Sequence, residues 1–170
     1  HNFGWYKGDT VNMGVGQGYI NATPLQLAYY SAFLATKGRL NNFSFVQDSK
    51  DHKKDTFISE NINLNDWAKI HESMVGVIEN PKGTAGRLRA LKDYIVAAKS
   101  GTVELVSTET KEDYQIIREI EGQRDHAIII AFGPMPNPEY AVSVVIENGE
   151  SGGSVAGPVA IAVLNSLIKE

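Results

Sequence analysis

The chain has 170 residues, 42% hydrophobic and 21% charged, enough to bury one core and within the ordinary range of a single globular domain. Its 16 basic and 20 acidic residues leave a formal charge of −4, with no extended cationic field for a phosphate backbone, so nucleic acid is not an expected partner. The absence of cysteine excludes disulfides and thiolate zinc sites, and no apolar run reaches the roughly 18 residues of a membrane span.

The opening "HNFGWYKGDT" has neither the basic nor the apolar region of a secretory signal, so any extracytoplasmic address would lie upstream, and a first residue other than Met suggests a cut chain. Next comes the glycine-rich "GVGQG", residues 14–18. It departs from the dinucleotide fingerprint because Tyr19 stands where the last glycine should be, and it reads as a loop that presents Gln17. Thr23-Pro24-Leu25-Gln26 is a capping box with proline at the first helical position. The helix it starts carries Leu27, Ser31 and Leu34 on one stripe, with small alanines beside it, and Gly38 is a left-handed stop. Residues 41–63 are polar and charged around "QDSKDHKKD" and read as a solvated, mobile excursion.

From Leu64, the spacing of Trp67, Ile70, Met74, Val77 and Ile78 predicts a second helix, stopped at Asn80-Pro81. Within it, "HESMV" begins like the zinc-protease motif, but Val75 replaces the second histidine ligand, so His71 and Glu72 read as helix surface. His52 and His126 complete no ligand spacing, and no metal site is expected. The loop "PKGTAGR" leads into a strand over 94–106, and after the charged connector "STETKED" two more strands are expected over 126–132 and 140–147. Those two, joined by "GPMPNPE", should form an antiparallel hairpin. Glycine-rich "NGESGGS" then feeds a C-terminal helix with Val155, Val159, Val163 and Leu167 on one face and Pro158 in its first turn.

The chemistry concentrates in "KSGT", Lys99 to Thr102, on the first of the three strands. Lysine supplies a positive charge, and the hydroxyls of Ser100 and Thr102 can donate to a carboxylate. Gly101 has no side chain to block a peptide laid along the strand, and a backbone N–H there could face a developing oxyanion. An ordinary strand edge with common hydroxyl residues is the bland alternative.

Taken together, "GVGQGYINATPLQLA", "KGTAG", "AAKSGTVEL", "RDHAIIIAFGPMPNPEYAVSVVIENG" and the C-terminal helix resemble the transpeptidase domain of class B penicillin-binding proteins, and among them the elongation type. The resemblance covers nearly the whole chain except 41–63. It implies an α+β fold related to the serine β-lactamases: an antiparallel sheet, about three strands of it present here, with flanking helices, residues 1–170 forming the C-terminal portion of one domain. It also implies a serine acyltransferase that crosslinks peptidoglycan stem peptides ending in D-Ala-D-Ala and is trapped by β-lactams, with no cofactor.

By that resemblance Lys99-Ser100-Gly101 is the family's third motif. The hydroxyls of Ser100 and Thr102 would hold the substrate carboxylate, Lys99 would support proton movement, and the backbone N–H of Thr102 would be half of the oxyanion hole. The nucleophile belongs to an S-x-x-K motif, and the chain is read as lacking that serine, cut after the second motif and before His1, hence inactive alone. Ser59-Glu60-Asn61 spells S-x-N but follows the "GQGY" segment, out of the family's order, and reads as coincidence. The resemblance further implies a location on the periplasmic face of the inner membrane, an upstream membrane anchor, and cell-elongation membrane proteins as partners. Without the upstream strands, the strand over 140–147 should present an unpaired edge. Apolar faces around Trp67, Ile70 and Met74 or on the C-terminal helix should be exposed, so that the chain self-associates. A D,D-carboxypeptidase or β-lactamase of the same fold, or a noncatalytic scaffold or sensor module, are the alternatives.

Overall fold

The computed structural model describes residues 4–40, 57–58, 62–106, 110–120 and 122–168. A short helix α1, Lys7–Gly14, opens it, with the Tyr6 N–H donating to Asp9 Oδ2 at 2.8 Å. The sequence reading has no helix here, because the segment carries no apolar periodicity and buries no residue. Helix α2, Pro24–Ala35, begins at the expected capping box: Gln26 N–H donates to Thr23 Oγ1 at 3.2 Å and Thr23 N–H to Gln26 Oε1 at 2.8 Å. The chain turns away at Lys37 and Gly38, both left-handed. Strand β1, Arg39–Leu40, then pairs antiparallel with β2, Phe57–Ile58. The rest of the expected excursion up to Asn61, including His52 and Ser59-Glu60-Asn61, lies outside the described residues.

Helix α3, Leu64–Glu79, is capped by Asn63, whose side-chain oxygen accepts from Asp66 N–H at 2.9 Å, and stops at Asn80. A 3₁₀ turn over Gly86–Leu91 follows, anchored by fully buried Leu88. Strand β3 spans Ala97–Val103, shorter at both ends than the expected 94–106. Its partner sets the limit: β4, His126–Gly133, starts opposite Val103 and pairs its Phe132 with Ala97. The connector holds a helix the sequence reading lacks, α4 over Lys111–Glu119, capped by Thr110, whose hydroxyl accepts from Asp113 N–H at 3.1 Å. Its charge obscured a local start signal that the Thr-x-x-Asp spacing carries.

Strand β5, Tyr140–Ile146, returns from β4 as the expected antiparallel hairpin. The sheet order is β3-β4-β5, with β4 central. The glycine-rich segment becomes a single π turn, Gly152–Ala156, running into α5, Gly157–Ile168.

Side chains of β4 alternate between two cores, as a strand's period of two requires. Ala127, Ile129 and Ala131 pack with Leu88, Ile161 and Leu164 beneath α5, whereas Ile130 and Phe132 pack with Leu34, Trp67 and Met74 beneath α2 and α3. Alanines on the α5 face admit a close approach of that helix. Trp67 and Met74 are buried, contrary to the expected exposure of that face, because α2 and the sheet cover them. The expectation for the C-terminal helix agrees with the structure: Val155, Val159, Val163 and Leu167 are 37–44% exposed, while Ala160, Ile161 and Leu164 face the core.

Candidate active site

Strand β3 is an edge of its sheet among the described residues, so one row of its backbone groups is free for another partner. Two hydrogen bonds identify that row. Thr102 O accepts from Gln17 Nε2 at 3.3 Å, and Ser100 O accepts from Lys99 Nζ; neither donor belongs to β4. In an antiparallel ladder the N–H and C=O of one residue point the same way, so the N–H groups of Ser100 and Thr102 also face the free edge.

Alternation divides the side chains. Ala97 belongs to the core under α2 and α3 and Ala98 to the core under α5, so Lys99 stands on the first face and Ser100 and Thr102 on the second. The ammonium and the two hydroxyls thus straddle the edge. Ser100 Oγ lies 2.9 Å from Thr84 Oγ1, and Thr102 Oγ1 donates to Glu150 O at 3.3 Å. Gly101 pairs with Ile128 and keeps the strand between them narrow. An open hollow of about 650 Å³, lined by Glu72, Ser73, Lys82, Thr84 and Lys99 among others, borders this region.

The loop after α1 brings Gln17 to the β3 edge, and the positive φ values of Gly16 and Gly18 let the backbone turn around it. Sequence reasoning had Gln17 as a cleft-loop residue; its contact with Thr102 spans 85 positions and has no local signature. Thr84 and Glu150 are neighbours it did not identify. Glu150 sits at φ 61, its N–H donating to Asp125 O at 2.8 Å. Its carboxylate accepts from Arg118 Nε and, at 3.1 Å, from Nη2. That hydrogen bonding holds the Glu150 carboxyl below the usual carboxylate range against the opposing effect of burial, and charge attraction to Arg118 and Arg124 adds to it. Nearby, Tyr114 OH donates to Asp125 Oδ2 at 2.7 Å, which, with burial, pushes the phenol pKa up.

The histidines take structural places. His71 is buried, not helix surface as expected: its Nε2 lies 2.8 Å from Leu34 O, and its ring tilts against Phe132. A histidine at that helix position has a carbonyl to satisfy it because α2 ends alongside. His126 Nδ1 accepts from Asn148 N–H at 3.0 Å. Among the described residues no group of three or more His, Asp or Glu side chains could hold a metal ion.

The tetrapeptide S-x-x-K, read as missing, is spelled once, by Ser166-Leu167-Ile168-Lys169. Ser166 is exposed on the last turn of α5, donates to Val163 O at 2.7 Å, and follows the "KSGT" strand, where the family's order requires the nucleophile to precede it. That bond turns the hydroxyl back onto its own helix, and Lys169 lies outside the described residues, so the spelling is a coincidence of composition.

Residues 1–165 match the family of the penicillin binding protein transpeptidase domain. The peptidoglycan D,D-transpeptidase MrdA of Escherichia coli is 34% identical over 158 residues, covering 89% of this chain and 25% of that protein. Its counterpart in Haemophilus influenzae is 31% identical over 173 residues, covering 98% of this chain and 27% of that protein. The chain thus spans about a quarter of the length of the curated relatives it matches. Among solved structures, Pseudomonas aeruginosa PBP2 in complex with WCK 5153 superposes with a TM-score of 0.76 at 32% identity, covering 98% of this chain and 35% of that one. Helicobacter pylori PBP2, in its complex with MreC, gives 0.75 at 28%, covering 99% and 29%. With a family match over nearly its full length and relatives above 30% identity on the same residues, the chain belongs to the penicillin-binding-protein transpeptidase domain family.

Proposed function

We propose that this chain is the C-terminal portion of a peptidoglycan D,D-transpeptidase domain and forms one wall of its acyl-transfer site. The observation that carries the reading is the free edge of β3, where outward N–H groups of Ser100 and Thr102 lie between Lys99 on one face and two hydroxyls on the other. Such an edge binds an extended peptide by main-chain pairing. The Ser100 and Thr102 hydroxyls hold its terminal carboxylate, the Thr102 proton swinging from Glu150 O to the ligand, and Gly101 keeps the approach open.

The serine nucleophile comes from the S-x-x-K segment of the same domain, upstream of His1. It attacks the carbonyl of the D-Ala-D-Ala bond, releases terminal D-alanine and leaves an acyl-enzyme, which an amine of a second stem peptide resolves. Thr102 N–H stabilises the developing oxyanion, and Lys99 contributes positive charge to the network that moves the serine proton. A β-lactam enters by the same route and stays attached. Relatives named as D,D-transpeptidases favour amine over water as the acceptor. The domain sits on the periplasmic face of the inner membrane behind an upstream anchor and works with cell-elongation membrane proteins; that a structural neighbour forms a complex with MreC supports a protein partner.

The test is intact mass after incubation with a labelled penicillin. The full-length protein should gain one adduct on a serine upstream of His1, and the 170-residue chain none. An adduct on a serine of this chain would overturn the division of the site.

A further inference from the structure

Thr84 has no part in the proposed acyl transfer, yet its hydroxyl is 2.9 Å from that of Ser100, and either atom could be the donor. We propose that Thr84 is a positioning residue for carboxylate recognition: it donates to Ser100 Oγ and so leaves the single Ser100 proton free to point at the ligand. This inference rests on the acyl-transfer reading and deepens it.

A serine hydroxyl has one proton and two acceptor lone pairs. If Ser100 donated to Thr84, a carboxylate arriving at the β3 edge would meet a lone pair. With the bond reversed, Ser100 accepts from Thr84 and donates to the ligand, and each hydrogen bond polarises the next. An anionic ligand selects this direction because only then does Ser100 Oγ turn a proton toward it.

The distance between the two hydroxyls is held by backbone contacts that side chains would destroy. Gly152 and Gly153, at the start of the π turn, wedge between β3 and the loop that carries Thr84. A Cβ on Gly152 would lie 2.1 Å from Ile128 O and 2.6 Å from Gly101 O, and one on Gly153 would lie 2.5 Å from Thr84 O. On its other side, the Thr84 loop presses Gly83 against the last turn of α3, where a Cβ would lie 2.3 Å from Val77 O. Ala85 N–H donates to Val77 O at 3.0 Å and closes that contact. Thr84 is therefore gripped between α3 and the π turn, and the same turn rests on the backbone of Gly101, next to Ser100. A threonine on the surface for solubility needs no such fixing. Thr84 also lines the hollow that Lys99 borders.

The experiment measures the second-order acylation rate of the full-length enzyme by benzylpenicillin and by its methyl ester, which lacks the carboxylate. Thr84→Val should slow the reaction with the acid about tenfold, the loss of one hydrogen bond in a charge-assisted pair, and leave the ester rate within about twofold. Thr84→Ser should restore the acid rate. In a Ser100→Ala background Thr84→Val should add almost nothing, because its action passes through Ser100. Should Thr84→Val not fold, Thr84→Ala serves the same comparison.

Equal loss for acid and ester, additivity with Ser100→Ala, or no loss at all would overturn the positioning role while leaving the acyl-transfer reading intact. An unchanged enzyme that penicillin does not acylate would overturn both.

Discussion

At the scale of single residues, Thr102 offers a separation of side-chain from main-chain chemistry. In the proposed site its hydroxyl turns from Glu150 O to the substrate carboxylate, and its N–H faces the free edge, where no β4 partner is lost if it is removed. Proline is tolerated on an edge strand in that orientation. Thr102→Val should therefore slow acylation by penicillin roughly tenfold, whereas Thr102→Pro should slow it by about 10² to 10³, the usual effect of deleting one oxyanion donor. Stopped-flow acylation with both variants checks the contrast, and equal effects would remove the oxyanion role from that N–H.

Glu150 makes a different prediction at the same scale. Its folded carboxyl lies below the ordinary range because Arg118 hydrogen-bonds it. The stabilisation is complete above the ordinary glutamate pKa and disappears as pH falls through the lower folded value. Solvent screening around both partners keeps it small. Thermal midpoints of the native protein and Glu150→Gln should differ near neutral pH and converge in acid. A difference that persisted at low pH would mean the residue acts through packing instead.

Elements carry the rigidity on which the site depends. The capping box of α2 satisfies two backbone N–H groups reciprocally, so Thr23→Ala should cost about 1 kcal/mol in urea unfolding. The π turn is more demanding, since a methyl at Gly152 would enter the backbone of both β3 and β4. Gly152→Ala should cost about 1–3 kcal/mol, as overpacking of a close contact does. It should also disturb the Ser100 end of β3 more than the α2 side, seen as amide shifts concentrated at 99–103. Uniform shifts would show that the turn does not act as a spacer. Helix α4 tethers the other end of the same segment, because Arg118 holds Glu150 while the Glu150 carbonyl holds Thr102.

At the scale of the whole molecule, two surfaces stand open among the described residues. One is the outer edge of β5, an uncharged strand with no proline to discourage pairing. The other is the apolar stripe that runs from Val155 of the π turn along Val159, Val163 and Leu167 of α5, the helix that packs beneath the same sheet. Both are surfaces that the rest of the domain should cover. The 170-residue chain alone should self-associate, and sedimentation velocity should show the weight-average mass rising with concentration. Val159→Lys together with Val163→Lys should reduce the rise. A monomer at every concentration would show that these surfaces are stable in water as they stand.

The sequence by itself determined the elements whose signals are local: the Thr23 capping box, the α3 stripe, the hairpin strands with their proline-rich turn, and the "KSGT" tetrapeptide with its family likeness. These depend on periodicity, capping and order along the chain, which neighbouring residues carry. It did not show α1 or α4, where apolar periodicity is weak or hidden by charge, nor the length of β3, which its partner strand sets. Tertiary structure alone decided that His71 is a core residue, that the late S-x-x-K spelling points back onto its own helix, and that Gln17, Thr84 and Glu150 converge on β3. Those contacts join positions 16 to 85 residues apart, and no local pattern records them, because their geometry is fixed by how the sheet, the helices and the π turn pack together.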